Sequence, residues 1–203
     1  MHKIGILGGS FDPIHCGHIA IATSALEECG LEKVLLMPTK NQPFKVGKHV
    51  ADEMDRLNMV KKAAEENDGL LGSSCEIDYG GISYTYNTLK ELEKTYKDGK
   101  FYFILGTDAF ISLETWYMGK ELLSSTPFIL AVRPGYKESE RKVAVEKYRQ
   151  KYNADITVLN NPILYISSTE IRERVEKGES ISELVPKGVE EYIVEHGLYK
   201  KEN

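Results

Sequence analysis

A short apolar strand that runs straight into two glycines, a proline turn and two histidines limits what this chain can fold into. Residues 3–7 read as a buried strand, and Gly8-Gly9-Ser10-Phe11-Asp12-Pro13-Ile14-His15-Cys16-Gly17-His18 follows at once. Gly8 and Gly9 give the backbone permissive angles and let a ligand approach the main chain. Asp12-Pro13 makes a turn, and Gly17 opens a helix over residues 17–29, whose free N–H groups can face an anion. The stretch is neither GxxxxGK[ST] nor GxGxxG, so it lacks the fingerprints of a P-loop and of a dehydrogenase-type dinucleotide fold.

His15 and His18 are three residues apart, so a helix starting near His15 would project them to similar sides. Two imidazoles beside glycines suit a polyphosphate, because they donate hydrogen bonds without the fixed charge of lysine. In phosphoryl transfer, alignment and charge stabilisation do most of the work, and no protein nucleophile is required. Three plainer readings stay open at this point. The glycines can serve only a tight turn, the histidines can cap the helix, or the pair can bind metal. No third His, Cys or carboxylate stands at nearby helical spacing, so no protein metal site is expected. Asp12 can contribute, though Pro13 would point it elsewhere.

Beyond the motif, apolar runs alternate with longer helical patterns. Strands are expected over residues 34–37, 70–77, 101–105, 128–132 and 156–159. Helices are expected from the Asp52 cap to about residue 66, and over residues 85–96, 138–152, 168–177 and 188–196. Alternation of this kind implies right-handed crossovers and a mostly parallel sheet. The expected fold is α/β: a Rossmann-like three-layer α/β/α arrangement with a C-terminal helical extension from about residue 168. In such sheets, ligands gather at the carboxyl ends of strands where strand order reverses.

The 203 residues suit a single domain over residues 1–203, with no repeat or clear linker. The net charge of −5 argues against a general nucleic-acid or anionic-membrane partner. Cys16, Cys29 and Cys75 form no CxxC pair, which points to a reducing compartment. The apolar stretch before Ser10 is too short for a signal-peptide core, and no later run approaches a membrane span of ~20 residues. The expectation is a soluble cytoplasmic protein, with homo-oligomerisation left open.

A second cluster lies far along the chain. Tyr165-Ile166-Ser167-Ser168-Thr169-Glu170-Ile171-Arg172 enters a helix, where the hydroxyl groups can cap its start or meet phosphate. Arg172 sits one turn in, within reach of the same anion. Taken alone, the segment reads as an ordinary capped helix with a surface arginine. Paired with the opening motif, it reads as part of a phosphate site.

Together, GGSFDPIHCGH and ISSTEIR resemble the paired signatures of the HxGH nucleotidyltransferases. From Lys3 to about Tyr199 the chain looks like the bacterial nicotinate mononucleotide adenylyltransferases of that superfamily. The resemblance implies His15, His18 and Arg172 as catalytic residues, the histidines stabilising the transition state and Arg172 gripping the triphosphate with Ser167 and Ser168. It implies an ATP site of Gly8, Gly9, Ser10, Phe11, Gly106, Asp108, Ser167 and Ser168. For the mononucleotide it implies Lys45, Ser83, Thr85, Trp116, Tyr117 and Arg133.

Two departures stand out: Phe44 replaces the usual His of a Pro-His-Lys loop, and Asn87 stands where Asp is usual. Lys40 and Lys48 are alternatives to Lys45. Asp108 can also be a helix cap, Trp116 a core residue, and Arg133 a loop charge. The implied reaction joins AMP from ATP to nicotinate mononucleotide, with Mg²⁺ carried mostly by substrate and water. Rivals are adenylyl transfer to pantetheine phosphate, cytidylyl transfer, and a nucleotide-sensing module without catalysis.

Overall fold

The computed structural model describes residues 2–40, 51–79, 83–132, 136–160 and 166–201. Lys45 and Arg133 lie outside the described residues, as do Phe44 and Lys48. The described strands form a six-stranded parallel sheet of order β3-β2-β1-β4-β5-β6, flanked by helices. They are β1 (His2–Gly9), β2 (Lys33–Pro38), β3 (Leu70–Gly72), β4 (Gly99–Gly106), β5 (Phe128–Ala131) and β6 (Ile156–Val158). The order runs outward from β1 to β2 and β3, then resumes on the other side of β1 with β4. This is the reversal expected of a doubly wound fold.

Residue contacts group the chain into two units. The first comprises Met1–Leu7, Ile21–Val34 and Tyr84–Ile163. Here Ile4 pairs in register with Phe101, and Ile6 with Phe103. Phe128 to Ala131 are all buried, an unbroken apolar run suited to a parallel strand covered on both faces. Gly5 is needed for close packing: a Cβ there would meet Leu31 at 2.8 Å, Val34 at 3.0 Å and Ile104 at 3.1 Å. The helices of this unit are α4 (Thr85–Thr95), α5 (Thr107–Ile111), α6 (Gly119–Ser125) and α7 (Glu138–Tyr152). Leu89 and Leu92 form the inward stripe of α4. The Phe110 ring of α5 meets Tyr148 of α7 edge-on at 5.3 Å, and the Tyr148 hydroxyl donates to the Ile111 carbonyl at 2.9 Å.

The second unit comprises Gly8–Ala20, Leu35–Ser83 and Leu164–Asn203. It holds α2 (Glu53–Glu65), α3 (Cys75–Tyr79), α8 (Ser168–Lys177) and α9 (Lys187–Glu195). α1 (Cys16–Glu28) starts in this unit and buries Ile19, Ala22 and Ala25 along one stripe. Asp52 caps α2 by accepting the Met54 and Asp55 N–H groups, each at 2.8 Å. Such a cap contributes about 1 kcal/mol. Arg56, Met59, Val60 and Ala63 fall on the buried face of α2 at helical spacing. α9 is tied to α2 at two points. The Glu66 carboxylate accepts the Lys187 and Gly188 N–H groups, and the Tyr192 hydroxyl donates to Asp55 at 2.9 Å.

One expected strand is corrected. Residues 70–77 divide into β3 and α3, because Ser73 and Ser74 interrupt the apolar run with hydrogen-bonding side chains. Ser73 Oγ accepts the Cys75 N–H, and Ser74 Oγ donates to the Asp78 carboxylate at 2.6 Å. The short helices α5 and α6, and a single 3₁₀ turn at Leu113–Thr115, were not anticipated. Among the described residues, no helix is long and apolar enough to cross a membrane.

Candidate active site

β1 delivers the chain to the motif, and the motif folds inward. Phe11 takes a left-handed φ of 46° with only 1% of its surface exposed. Its ring meets His18 edge-on, with centroids 5.0 Å apart. Asp12-Pro13 is a cis peptide, and Asp12 is wholly buried. Arg56 reaches the same loop from α2, its guanidinium donating to the Ser10 carbonyl at 2.8 Å and the Lys40 carbonyl at 3.2 Å.

α1 starts at Cys16, one residue after His15. The two imidazoles stack with centroids 3.6 Å apart and planes inclined by 23°. The His15 N–H donates to His18 Nδ1 at 3.3 Å, and the His18 N–H, which donates to the His15 carbonyl at 2.9 Å, also reaches His15 Nδ1 at 3.3 Å. An Nδ1 that accepts carries no proton, so each ring is held as the neutral tautomer with its proton on Nε2. Burial favours the same state. It lowers the His15 pKa to about 4. It also lowers that of His18 well below the ordinary value, and the neighbouring His15 adds to the effect. His15 therefore does cap α1, as one of the plainer readings held, yet capping uses only Nδ1. The Nε2–H donors remain for a ligand. Among the described residues, no group of three or more His, Cys, Asp or Glu side chains is placed to hold a metal.

The second motif comes to the same turn. Ser167 caps α8 by accepting the Glu170 N–H at 3.1 Å, and Ser168 Oγ donates to the Pro13 carbonyl at 3.0 Å. Arg172 Nη1 donates to the Asp12 carbonyl at 2.7 Å and stands 3.6 Å from its carboxylate. Its Nη2 donates to Thr169 Oγ1 at 3.2 Å. His15, His18, Ser168 and Arg172 are thus gathered around Asp12-Pro13, although 160 residues separate Asp12 from Arg172. Asp12 is more central than its proline neighbour suggested. Its Oδ1 accepts the Ala51 N–H at 3.1 Å and the Tyr199 hydroxyl at 2.8 Å.

The chemistry of this cluster is legible. Neutral imidazole donors and a guanidinium present hydrogen bonds and one positive charge, the complement of a polyphosphate. The Asp12 carboxylate is wholly buried, and its Oδ1 already accepts the Ala51 N–H and the Tyr199 hydroxyl.

The remaining expected residues are less drawn together. Gly106 caps α5, and Asp108 lies in the first turn, which corrects the reading of Asp108 as the cap. Its carboxylate accepts Lys137 Nζ at 2.7 Å and the Tyr136 hydroxyl at 3.1 Å. Thr85 opens α4, so its N–H is among the helix's first free donors. Ser83 is half-buried just before it. Trp116 meets Phe103 edge-on at 6.3 Å, a packing contact. Tyr117 is 52% exposed and lies 4.7 Å from the Tyr84 ring. Lys40, an alternative to Lys45, donates to the Ile77 carbonyl at 3.0 Å.

Two residues of the cluster escaped the sequence reading. Arg56 left a usable signal, since it is a charge on the buried stripe of α2. Tyr199 left none, because nothing near it in sequence marks it as the partner of an aspartate 187 residues away.

A model of the cytidylyltransferase-like family matches residues 6–174. A protein of Desulfitobacterium hafniense named "Probable nicotinate-nucleotide adenylyltransferase" is 42% identical over 198 residues, covering 98% of this chain and 96% of its own length. One of Clostridium botulinum with the same name is 40% identical over 202 residues, with full coverage of both. Among solved structures, the Plasmodium falciparum nicotinic acid mononucleotide adenylyltransferase complexed with NaAD matches with a TM-score of 0.80. It covers 98% of each chain at 22% identity, a likeness that shows the fold.

Proposed function

The chain belongs to the cytidylyltransferase-like family, with nicotinate-nucleotide adenylyltransferases among its relatives, and from that premise we propose that it makes deamido-NAD from ATP and nicotinate mononucleotide. A phosphate oxygen of the mononucleotide attacks the α-phosphorus of ATP. The bond from that phosphorus to the β-phosphate bridging oxygen breaks, and pyrophosphate leaves. No covalent enzyme intermediate forms. The observation that carries this reading is the stacked pair His15 and His18, held neutral with both Nε2–H donors to spare.

Those donors bind oxygens of the reacting phosphate as charge builds on them, which is the type of stabilisation that most lowers such barriers. Arg172 supplies the positive charge, and Ser167 and Ser168 line the start of α8. ATP enters as its Mg²⁺ complex, since an ion carried by phosphates and water needs no cage of protein ligands. Thr85 and Tyr117, with Ser83, Trp116, Lys45 and Arg133, are proposed for the mononucleotide. Gly8, Gly9, Ser10, Phe11, Gly106 and Asp108 are proposed for ATP. The reaction is assigned to the cytoplasm, to a single functional domain, and to a chain free to form a homo-oligomer.

The test is pyrophosphate release by the purified protein with Mg²⁺, ATP and nicotinate mononucleotide, run beside nicotinamide mononucleotide and pantetheine phosphate. Turnover is expected with the nicotinate compound. Turnover with pantetheine phosphate alone, or none at all, would overturn the assignment.

A further inference from the structure

The C-terminal turn carries a side chain that the proposed chemistry does not use and the fold places with care. α9 ends in a Schellman closure: the Gly197 N–H donates to the Val194 carbonyl at 3.3 Å, and the Leu198 N–H to the Ile193 carbonyl at 3.0 Å. Gly197 takes the left-handed φ of 63° that this closure requires. The next residue but one, Tyr199, is also left-handed, at φ 62°, without being glycine. Such a conformation persists when surrounding contacts hold it. Tyr199 is 7% exposed, and its hydroxyl donates to Asp12 Oδ1 at 2.8 Å. Burial and the Asp12 carboxylate both raise its pKa, so the hydroxyl stays a donor at every working pH.

Asp12 is the junction of the cluster. Its carboxylate takes Tyr199 and the Ala51 N–H, its carbonyl takes Arg172, and the next carbonyl, that of Pro13, takes Ser168. His15 follows two residues beyond Pro13. A shift of Asp12 would therefore move Arg172 and the imidazole pair together. We propose that Tyr199 is a positioning residue for adenylyl transfer, its hydroxyl fixing Asp12 and through it Arg172 and His15. The proposal rests on the adenylyltransferase reading of the same site.

The test compares Tyr199→Phe with Tyr192→Phe. Both remove a tyrosine hydroxyl from the C-terminal segment and keep the ring. The Tyr192 hydroxyl, however, serves Asp55 and Asn58 of α2 rather than Asp12. Misplacing groups by a fraction of an ångström is costly, so Tyr199→Phe is expected to lower kcat roughly tenfold to a hundredfold. Its KM for the mononucleotide should stay within about twofold. Tyr192→Phe should lower the melting temperature comparably and leave kcat near wild type. The imidazole ¹⁵N signals of His15 and His18 should move in Tyr199→Phe only.

Equal loss of kcat in the two variants would overturn the proposal, because it would reduce Tyr199 to a stabilising contact. Loss of cooperative melting in Tyr199→Phe would do the same. If the wild-type protein released no pyrophosphate, the substrate assignment would fail on its own. The imidazole spectra would still decide the positioning claim, and unchanged signals would refute it.

Discussion

The cluster around Asp12 and the surface around Tyr117 are both proposed to meet ligand, yet they are built in opposite ways. Around Asp12, backbone carbonyls, a buried carboxylate, two guanidinium groups and two stacked rings hold one another, and little is left to solvent. Around Tyr117, a half-exposed ring leans on other tyrosine rings, those of Tyr84 at 4.7 Å and Tyr86 at 6.3 Å. The difference matches the two tasks proposed for them. Stabilising a transition state requires donors already in place, because any reorganisation adds to the barrier. Gripping a substrate ring tolerates a surface that adjusts.

The sharpest way to break this contrast is His18→Ala. Losing one placed donor should lower kcat by about 10²–10³, with modest change in the KM for ATP. Near-normal steady-state turnover would remove His18 from the chemistry.

Next in size is Arg56→Met. It would strip the Ser10 and Lys40 carbonyls of a buried charged donor and should cost about 3 kcal/mol in urea unfolding. A change below about 0.5 kcal/mol, the range of ordinary surface substitutions, would mean that the loop holds itself without α2.

Tyr117→Ala tests the open side. It should raise the KM for nicotinate mononucleotide by a factor matching about 1–3 kcal/mol of stacking, with the melting temperature unmoved. A fall in kcat with KM constant would place Tyr117 in the same class as the histidines.

A last effect, spread over a range of pH, concerns His15. The His15 pKa is lowered in the fold to about 4, so between about pH 6.5 and 4 the unfolded chain binds a proton that the native chain refuses. Stability should therefore fall as pH drops through that window, by at most about 1.4 kcal/mol per pH unit from this group. His15→Asn should flatten that part of the profile, and an unchanged slope would show that the ring is not kept neutral by burial.

Much of the fold was legible because its signals are local. The charged helix over Glu138–Tyr152 and the helix over Ser168–Lys177 fall where periodicity and caps put them. The strands into Gly9 and Gly106 end at the glycines that mark them. The helices at Thr107–Ile111 and Gly119–Ser125 were missed because five to seven residues span too few turns for a 3.6-residue period to show. Residues 70–77 were misjudged because a short apolar run is ambiguous, and the hydroxyls of Ser73 and Ser74 settled it locally.

For the site, the sequence by itself determined the chemical types and their anchoring. A strand must feed a glycine turn, two imidazoles must stand at a helix start, and a second helix must begin with hydroxyls and carry an arginine. Only the tertiary structure decided what joins them. It made Asp12 the junction, brought Arg172 and Tyr199 to it across 160 and 187 residues, and set a buried arginine beneath Ser10. The reason is physical. Hydrogen bonds between residues near in sequence leave a periodic trace, whereas a buried polar contact between distant residues is selected only when the whole core closes around it.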